Sequence, residues 1–172
     1  TYAAEVVAND FEVNYGGWHE VGESVTLIAE KGTGVDASRG MRVTGRSTSA
    51  DGAASSKGFY LTGGIEYNYG VSVFSESDEE FHVMLTYADE KTNDETTVEL
   101  ISESVKAGEW TELSTKFKAP KNTYEYRITI TTDTTNDFIF DDVLITTEKD
   151  RNAVSAASTD KGLKDEFAAY FR

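Results

Sequence analysis

The chain has 172 residues, of which 38% are hydrophobic and 12% aromatic, enough for one domain with a buried core. Its 31 acidic and 16 basic residues give a formal charge of −15, which excludes partners that need clustered cations, such as nucleic acid and anionic membrane surfaces. The absence of cysteine excludes disulfides, thiolate metal sites and cysteine nucleophiles. No apolar run is long enough to predict a membrane span.

Nine short segments rich in Val, Ile, Thr, Tyr and Phe follow one another along the chain, and most of them alternate with period two. In chain order they are SVTLIAE, MRVTG, GFYLT, YNYGVSVF, FHVMLTYA, TTVELIS, WTELSTKFKA, YEYRITITT and DFIFDDVLIT. Turn-forming stretches such as ADGAASSKG and DEKTND separate them. The pattern predicts an all-β fold, an antiparallel β-sandwich or jelly roll, over residues 1–150.

The last fifteen residues change character, because Leu163, Phe167, Tyr170 and Phe171 recur at helical spacing. We therefore predict a linker and a short C-terminal helix over residues 151–172. The helix either folds back on the sandwich or begins a further domain, and we favour the second interpretation.

Strand alternation predicts which side chains face the core and which face outward. In FHVMLTYA the more apolar set, which begins at Phe81, faces inward, so His82 and Met84 face outward. In YEYRITITT the outward set includes Arg127 and Thr131. In MRVTGR the same rule points Arg42, Thr44 and Arg46 outward. Most tyrosines then belong to the core, and do not form a surface platform for a ligand.

Catalytic chemistry has little support in the sequence. The nucleophile elbow Gly-x-Ser-x-Gly and the zinc motif His-Glu-x-x-His are absent, and the two histidines lie far apart in the chain. The 31 acidic residues cannot be sorted into a glycosidase pair. We predict no catalytic residues.

Acidic residues near both ends of the sandwich suggest a calcium site. Asp10 and Glu12 lie near the start of the chain, and Asp141 and Asp142 lie near its last strand. Terminal strands of a sandwich often pair, and hard carboxylate oxygens suit Ca²⁺. Acids that merely discourage edge-to-edge aggregation explain the same pattern equally well.

A series of short segments resembles the family-22 carbohydrate-binding modules. These segments are NDFE, GGW, VTGR followed by ADG, KAGEWTELSTKF and DFIFDDV, and they span about residues 6–147. The tail GLKDEFAAYF resembles the opening helix of a family-10 glycoside hydrolase catalytic domain. The resemblance implies a jelly-roll module of a secreted bacterial xylanase that binds xylan-like polysaccharide beside a tethered glycoside hydrolase domain.

The resemblance also implies a structural calcium ion. Glu12 and Asp141 would supply side chains, and Asp10 and the loop around Ser38 would supply further oxygens. Asp142 adjoins Asp141, and it stays open which of the two is the ligand.

The family's xylan groove would map onto this chain with its aromatic residues replaced. The family's tryptophan position falls on Ala50 and its glutamate on Thr131, and residues 47–56 contain neither Trp nor Tyr. Arg46, His82 and Arg127 remain as candidate groove residues. We therefore expect either a module with weak or altered affinity for xylan, or a degenerate module that serves as a spacer or stabiliser of the catalytic domain.

Overall fold

The structure is a computed structural model that describes residues 2–55, 59–89, 91–120 and 123–149. Twelve strands and one short 3₁₀ turn lie in these ranges. They are β1 (Tyr2–Asn9), β2 (Trp18–Val21), β3 (Thr26–Lys31), the turn Val35–Ala37, β4 (Arg39–Thr44), β5 (Gly52–Ser55), β6 (Phe59–Leu61), β7 (Glu66–Phe74), β8 (Glu79–Ala88), β9 (Glu95–Val105), β10 (Thr111–Lys118), β11 (Thr123–Thr132) and β12 (Phe138–Lys149).

Two six-stranded sheets form the molecule, and every pairing between described strands is antiparallel. Sheet A has the order β10-β7-β12-β4-β3, and β1 also pairs with β12. Sheet B has the order β2-β5-β11-β8-β9, and β6 also pairs with β11. The predicted antiparallel β-sandwich is therefore confirmed. The predicted C-terminal helix and the linker before it lie outside the described residues.

The core lies between the inner faces of the two sheets, where alternation placed it. The inward sets of β7, β8 and β11 are buried as predicted, apart from Tyr87, which is partly buried, and Tyr124, whose side chain is outside the described part. Aromatic rings cross the interior, with Phe81 meeting Phe138 edge-on at 5.4 Å between ring centroids. Within the described ranges, no helix is long and apolar enough to cross a membrane.

The sequence pattern missed three strands, β1, β2 and β5. The largest miss is β5, because Gly52–Ser55 stands inside a stretch predicted to be a turn. Gly and Ala have low strand propensity, but this strand is held between β2 and β11 and its small residues are required there. A Cβ atom on Gly52 would lie 2.1 Å from the carbonyl oxygen of Ile130. Close approach of two backbones, rather than side-chain pattern, therefore defines β5.

We expect Gly52→Ala to lower the free energy of unfolding by about 2 kcal/mol, because β5 must move away from β11 to admit the methyl group. Urea denaturation measures this change. Gly70→Ala is the matched control, since its Cβ would meet nothing nearer than 3.8 Å. Equal stability of the two variants would contradict the tight β5–β11 approach.

Candidate functional site

The outer face of sheet B has a floor of short side chains. On β11, Thr129 and Thr131 alternate with buried neighbours and so face outward. Across the ladders, Ala54 of β5 and Met84 of β8 lie on either side of Thr129, and His82 lies opposite Thr131. His82, Arg127 and Thr131 thus lie on one face, as alternation predicted. The short residues make a shallow floor, and the longer polar side chains stand beside it.

His82 is held between two carboxylates. Its Nδ1 lies 2.8 Å from Oε2 of Glu99 on β9, and its Nε2 lies 2.7 Å from Oδ1 of Asp133 after β11. Partial burial by itself lowers the pKa of His82, but these two hydrogen bonds outweigh that effect and the net pKa is raised. The two carboxylates therefore favour the charged form of this imidazole more than water favours that of a free histidine, and His82 links β8, β9 and the residue after β11.

Arg127 is also engaged with a carboxylate. Its Nη2 donates to Oε2 of Glu95 on β9 at 2.8 Å. A ligand that used either His82 or Arg127 would have to compete with, or share, an existing ion pair. Neither side chain is an unpaired hydrogen-bond donor.

The prediction that Arg46 faces outward is wrong. Arg46 is only 7% exposed, because Gly45 takes a positive φ of 76° and ends the alternation that began in β4. The guanidinium donates to the carbonyl oxygens of Ser49, Asp51, Thr132 and Asn136 and to the Thr132 hydroxyl. It also lies 5.2 Å from the centroid of the Phe138 ring.

The charge of Arg46 is retained in spite of its burial. Burial lowers the pKa of Arg46, and the nearby carboxylates of Glu79 and Asp51 oppose that shift. Because the ordinary pKa of arginine lies far above neutral, the guanidinium remains protonated at neutral pH. Arg46 is a structural cross-link and is not a groove residue.

Ala50 lies on a loop whose backbone is held by hydrogen bonds to the side chains of Asp51 and Arg46. The Asp51 carboxylate accepts hydrogen bonds from the backbone N–H groups of Ser47 and Thr48 and from both of their hydroxyls. The Ser47 backbone bond is the largest influence on the pKa of Asp51, which lies below its usual value. Ala50 itself is exposed. The loop is therefore a fixed support that carries a methyl group where the family resemblance places an aromatic ring.

Tyr60 is an outward aromatic residue that the sequence reasoning missed. In β6, Phe59 packs against the core and Leu61 is fully buried, so the residue between them faces outward. Tyr60 is 49% exposed, and β6 pairs with the early part of β11. Alternation within GFYLT was the signal that could have found it. It gives this face one substantial aromatic surface, beyond the Arg127 end of the floor.

The structure brings the four predicted calcium ligands to one region. Asp141 is fully buried, and its Oδ2 accepts hydrogen bonds from the Val35 N–H at 3.0 Å and the Ser38 hydroxyl at 3.1 Å. Glu12 Oε2 accepts from the N–H of Arg39, the residue after Ser38, at 2.8 Å. Asp10 Oδ1 accepts from the Glu12 N–H at 3.2 Å. All four predicted residues thus belong to one hydrogen-bonded region at the ends of β1, β4 and β12.

Negative charge accumulates in this region. Burial raises the pKa of Asp141 to about 6, helped by Asp142 and opposed by the Val35 N–H. Burial is also the largest cause of the raised pKa of the adjacent Asp142, and repulsion from Asp10 and Glu12 raises it further. An oxygen-only donor set with surplus negative charge is the chemistry that Ca²⁺ requires.

A group of side chains close enough together to hold a metal ion lies elsewhere. Among residues that the structure describes, Glu80, His82 and Asp133 are the three whose ligand atoms all lie within 4.8 Å of one another. His82 and Asp133 form one of the ion pairs described above, and Glu80 accepts a hydrogen bond from the Ser102 hydroxyl at 2.8 Å. The predicted calcium ligands are more widely spaced than this.

A protein-family model described as a carbohydrate binding domain matches residues 3–137. The chain belongs to this family. Endo-1,4-beta-xylanase Y of Acetivibrio thermocellus is 45% identical to this chain over 170 residues, which are 98% of this chain and 16% of that protein. The chain thus spans about a sixth of the length of this curated relative.

Two solved structures extend the comparison. The CBM22-1–GH10 modules of Clostridium thermocellum xylanase 10B, complexed with xylohexaose, are 46% identical, with a TM-score of 0.80 over 85% of this chain and 29% of that chain. The CBM22-2 xylan-binding domain of Paenibacillus barcinonensis Xyn10C shares the fold at 19% identity, with a TM-score of 0.72 over 83% of this chain and 99% of that one. The predicted resemblance to family-22 carbohydrate-binding modules is confirmed.

We expect Arg46→Ala to lower the free energy of unfolding of this module by about 3 kcal/mol, because four buried or partly buried carbonyls lose their donor. Chemical denaturation followed by tryptophan fluorescence measures the change. Arg127→Ala is the control: it removes one exposed ion pair and should cost no more than about 1 kcal/mol. A loss for Arg46→Ala as small as that of the control would contradict the cross-linking role.

Proposed function

We propose that this chain is a non-catalytic module of a secreted xylanase and binds xylan-like polysaccharide through the outer face of sheet B with weak or altered affinity. The family membership and the relative complexed with xylohexaose support the ligand class. The proposal of low affinity is carried by Ala50, an exposed methyl group on the fixed loop at the position where the family resemblance implies an aromatic ring. Tethering to a glycoside hydrolase domain would convert even weak affinity into a higher local substrate concentration.

The physical reason for low affinity is the composition of the floor. Sugar rings present apolar C–H faces that stack on aromatic side chains, and hydroxyl groups that need free donors and acceptors. Ala54, Thr129 and Thr131 offer little surface for stacking. His82 and Arg127 already bind carboxylates. Tyr60, at one end, is the side chain best suited to hold a sugar ring on this face.

The same observations favour a second candidate function. His82 and Arg127 are paired with carboxylates, and the side chains between them are short. A module with such a surface could have lost useful sugar affinity and instead serve to stabilise or space the neighbouring catalytic domain. Binding measurements on the isolated module separate the two functions, because only the first requires any affinity for a polysaccharide.

We expect the chain to be retarded weakly in affinity gels that contain xylan, arabinoxylan or glucuronoxylan. Ala50→Trp should strengthen the retardation, because an added ring contributes about 1–1.5 kcal/mol, roughly a five- to tenfold gain in affinity. Val13→Trp is the matched control, since Val13 is highly exposed but does not belong to sheet B. No retardation by the wild-type chain in any of these gels would overturn the first function and leave the second.

We further propose that Ca²⁺ binds between the ends of β1, β4 and β12 through Glu12 and Asp141, with additional oxygens from Asp10 and the loop at Ser38. A cation there would offset the repulsion among these carboxylates and join the terminal strands. Because a ligand stabilises the folded state that binds it, removal of the ion should destabilise the module without unfolding it at room temperature.

We expect a chelator to lower the melting temperature by roughly 5–10 °C, corresponding to an ion present at about 100 times its Kd. The far-UV circular dichroism spectrum at room temperature should stay native. In Glu12→Gln the chelator should have a much smaller effect, whereas in Glu23→Gln, at an exposed acid on a distant loop, the full effect should remain. Superimposable melts of the wild-type chain with and without chelator would refute the site.

A further inference from the structure

A row of mostly apolar side chains crosses the outer face of sheet A, on the opposite side of the sandwich from the proposed groove. Strand pairing places Ile28 of β3 opposite Arg42 of β4, Arg42 opposite Ile139 of β12, and Ile139 opposite Phe74 of β7. Trp110 continues the row beside Phe74, just before β10 begins. Four adjacent strands and the residue before β10 thus contribute one side chain each to a single line.

This composition is unusual for the outer face of a sandwich, which normally carries polar residues because it faces water. The outward neighbours of Phe74 on β7 follow that rule, since Asn68 and Ser72 are polar. In the row itself, Ile28 is 39% exposed, and Ile139 is 5% exposed because its neighbours cover it. The apolar side chains of the row are therefore neighbours, and Leu144 of β12 is a further exposed apolar residue of sheet A.

The two aromatic residues form a fixed, partly exposed pair. The ring centroids of Phe74 and Trp110 are 5.5 Å apart, and the ring planes are inclined by 39°. The loop before Trp110 is anchored, since the Gly108 N–H donates to the Ser75 carbonyl at 2.8 Å and the Ala107 N–H donates to Asp78 at 2.9 Å. The position of the Trp110 ring is therefore set before any ligand arrives, which reduces the entropic cost of binding.

Polar groups line a cavity of about 350 Å³ beside Phe74. Its walls include Arg42, Glu76, Ser77 and Asn136. Arg42 is partly exposed, and its Nε lies 3.6 Å from Oε1 of Glu30. Donors and acceptors beside partly exposed aromatic rings are the combination that carbohydrate sites use to bind C–H faces and hydroxyl groups together.

We propose that this row, from Ile28 to Trp110, is a second polysaccharide-binding site, with Phe74 and Trp110 as the stacking surface and Arg42 as a hydroxyl-binding group. The ligand class rests on the proposed function. Strands lie about 4.8 Å apart, so the row is roughly 19 Å long, enough for several sugar residues. The net charge of −15 favours a neutral chain over a second copy of this protein, since two copies repel each other.

Two tryptophans allow a direct test with xylohexaose as the probe. Trp18 is 5% exposed and its Nε1 donates to Asn9, so quenching by acrylamide reports mainly on Trp110. We expect xylohexaose to reduce the quenching constant of the whole chain at least twofold. This quenching measurement uses the wild-type chain, so its outcome does not depend on whether a variant folds.

Variants separate this site from the groove. Calorimetry with xylohexaose should show at least fivefold weaker binding to the sheet A row in both Trp110→Ala and Arg42→Ala. Thr129→Arg, which fills the floor of sheet B, should leave protection of Trp110 unchanged. Ile65→Ala is the control, because Ile65 is exposed and precedes β7, at the opposite end of that strand from Phe74. Melting curves identify any variant that is unfolded.

The outcomes are distinguishable. If Thr129→Arg abolishes binding, and Trp110 is neither protected nor required, the chain has one site in the groove and the inference is wrong while the proposed function stands. If the wild-type chain binds no xylohexaose and no xylan, both are wrong. If light scattering shows a dimer that Trp110→Ala dissociates, the row is an interface between copies and the inference is wrong.

Discussion

The buried guanidinium of Arg46 is the interaction on which the candidate site depends. Arg46 follows β4 of sheet A, and its partners lie in the loop before β5, at the end of β11 and in the loop before β12. The chain passes between the sheets at both connections, β4 to β5 and β11 to β12. One planar cation with five donors can satisfy carbonyls from both connections at once, which a lysine could not do.

Glu79, the first residue of β8, completes this arrangement. Its carboxylate accepts hydrogen bonds from Ser77, Thr134 and Asn136, so it holds the loop that Arg46 also contacts. Burial raises the pKa of Glu79, but these hydrogen bonds outweigh it and the net pKa lies below its usual value. A charged pair bridged by hydroxyl and amide groups thereby fixes one end of the sandwich. The loop that carries Ala50 and the cavity beside Phe74 both lie at that end.

The two outer faces of the sandwich differ in the side chains that they carry. On sheet B, His82 and Arg127 are bound to carboxylates of β9 and of the loop after β11, and the side chains between them are short. On sheet A, aromatic and aliphatic side chains form a line with Arg42 at its centre. If both surfaces bind polysaccharide, the module could hold two segments of chain on opposite sides of one rigid domain.

Periodicity predicted the strands whose residues alternate, and it failed where other forces decide. FHVMLTYA and YEYRITITT gave correct inward and outward sets because one face of each strand is buried. The same rule failed at Arg46, since one residue with positive φ at Gly45 reverses the direction of the next side chain. It also failed at β5, whose Gly and Ala residues were read as a turn but pair between two strands. Alternation carries no information about either event.

The sequence by itself determined the fold class, the inward residues of the alternating strands and the family, because these depend on local pattern and on residue type. The tertiary structure alone decided that Arg46 is a cross-link, that Tyr60 and the row from Ile28 to Trp110 share outer faces with residues distant in sequence, and that His82 lies between Glu99 and Asp133. The physical reason is register. Which residues of different strands become neighbours depends on hydrogen-bonded pairing and on backbone turns, and these are settled only when the two sheets assemble.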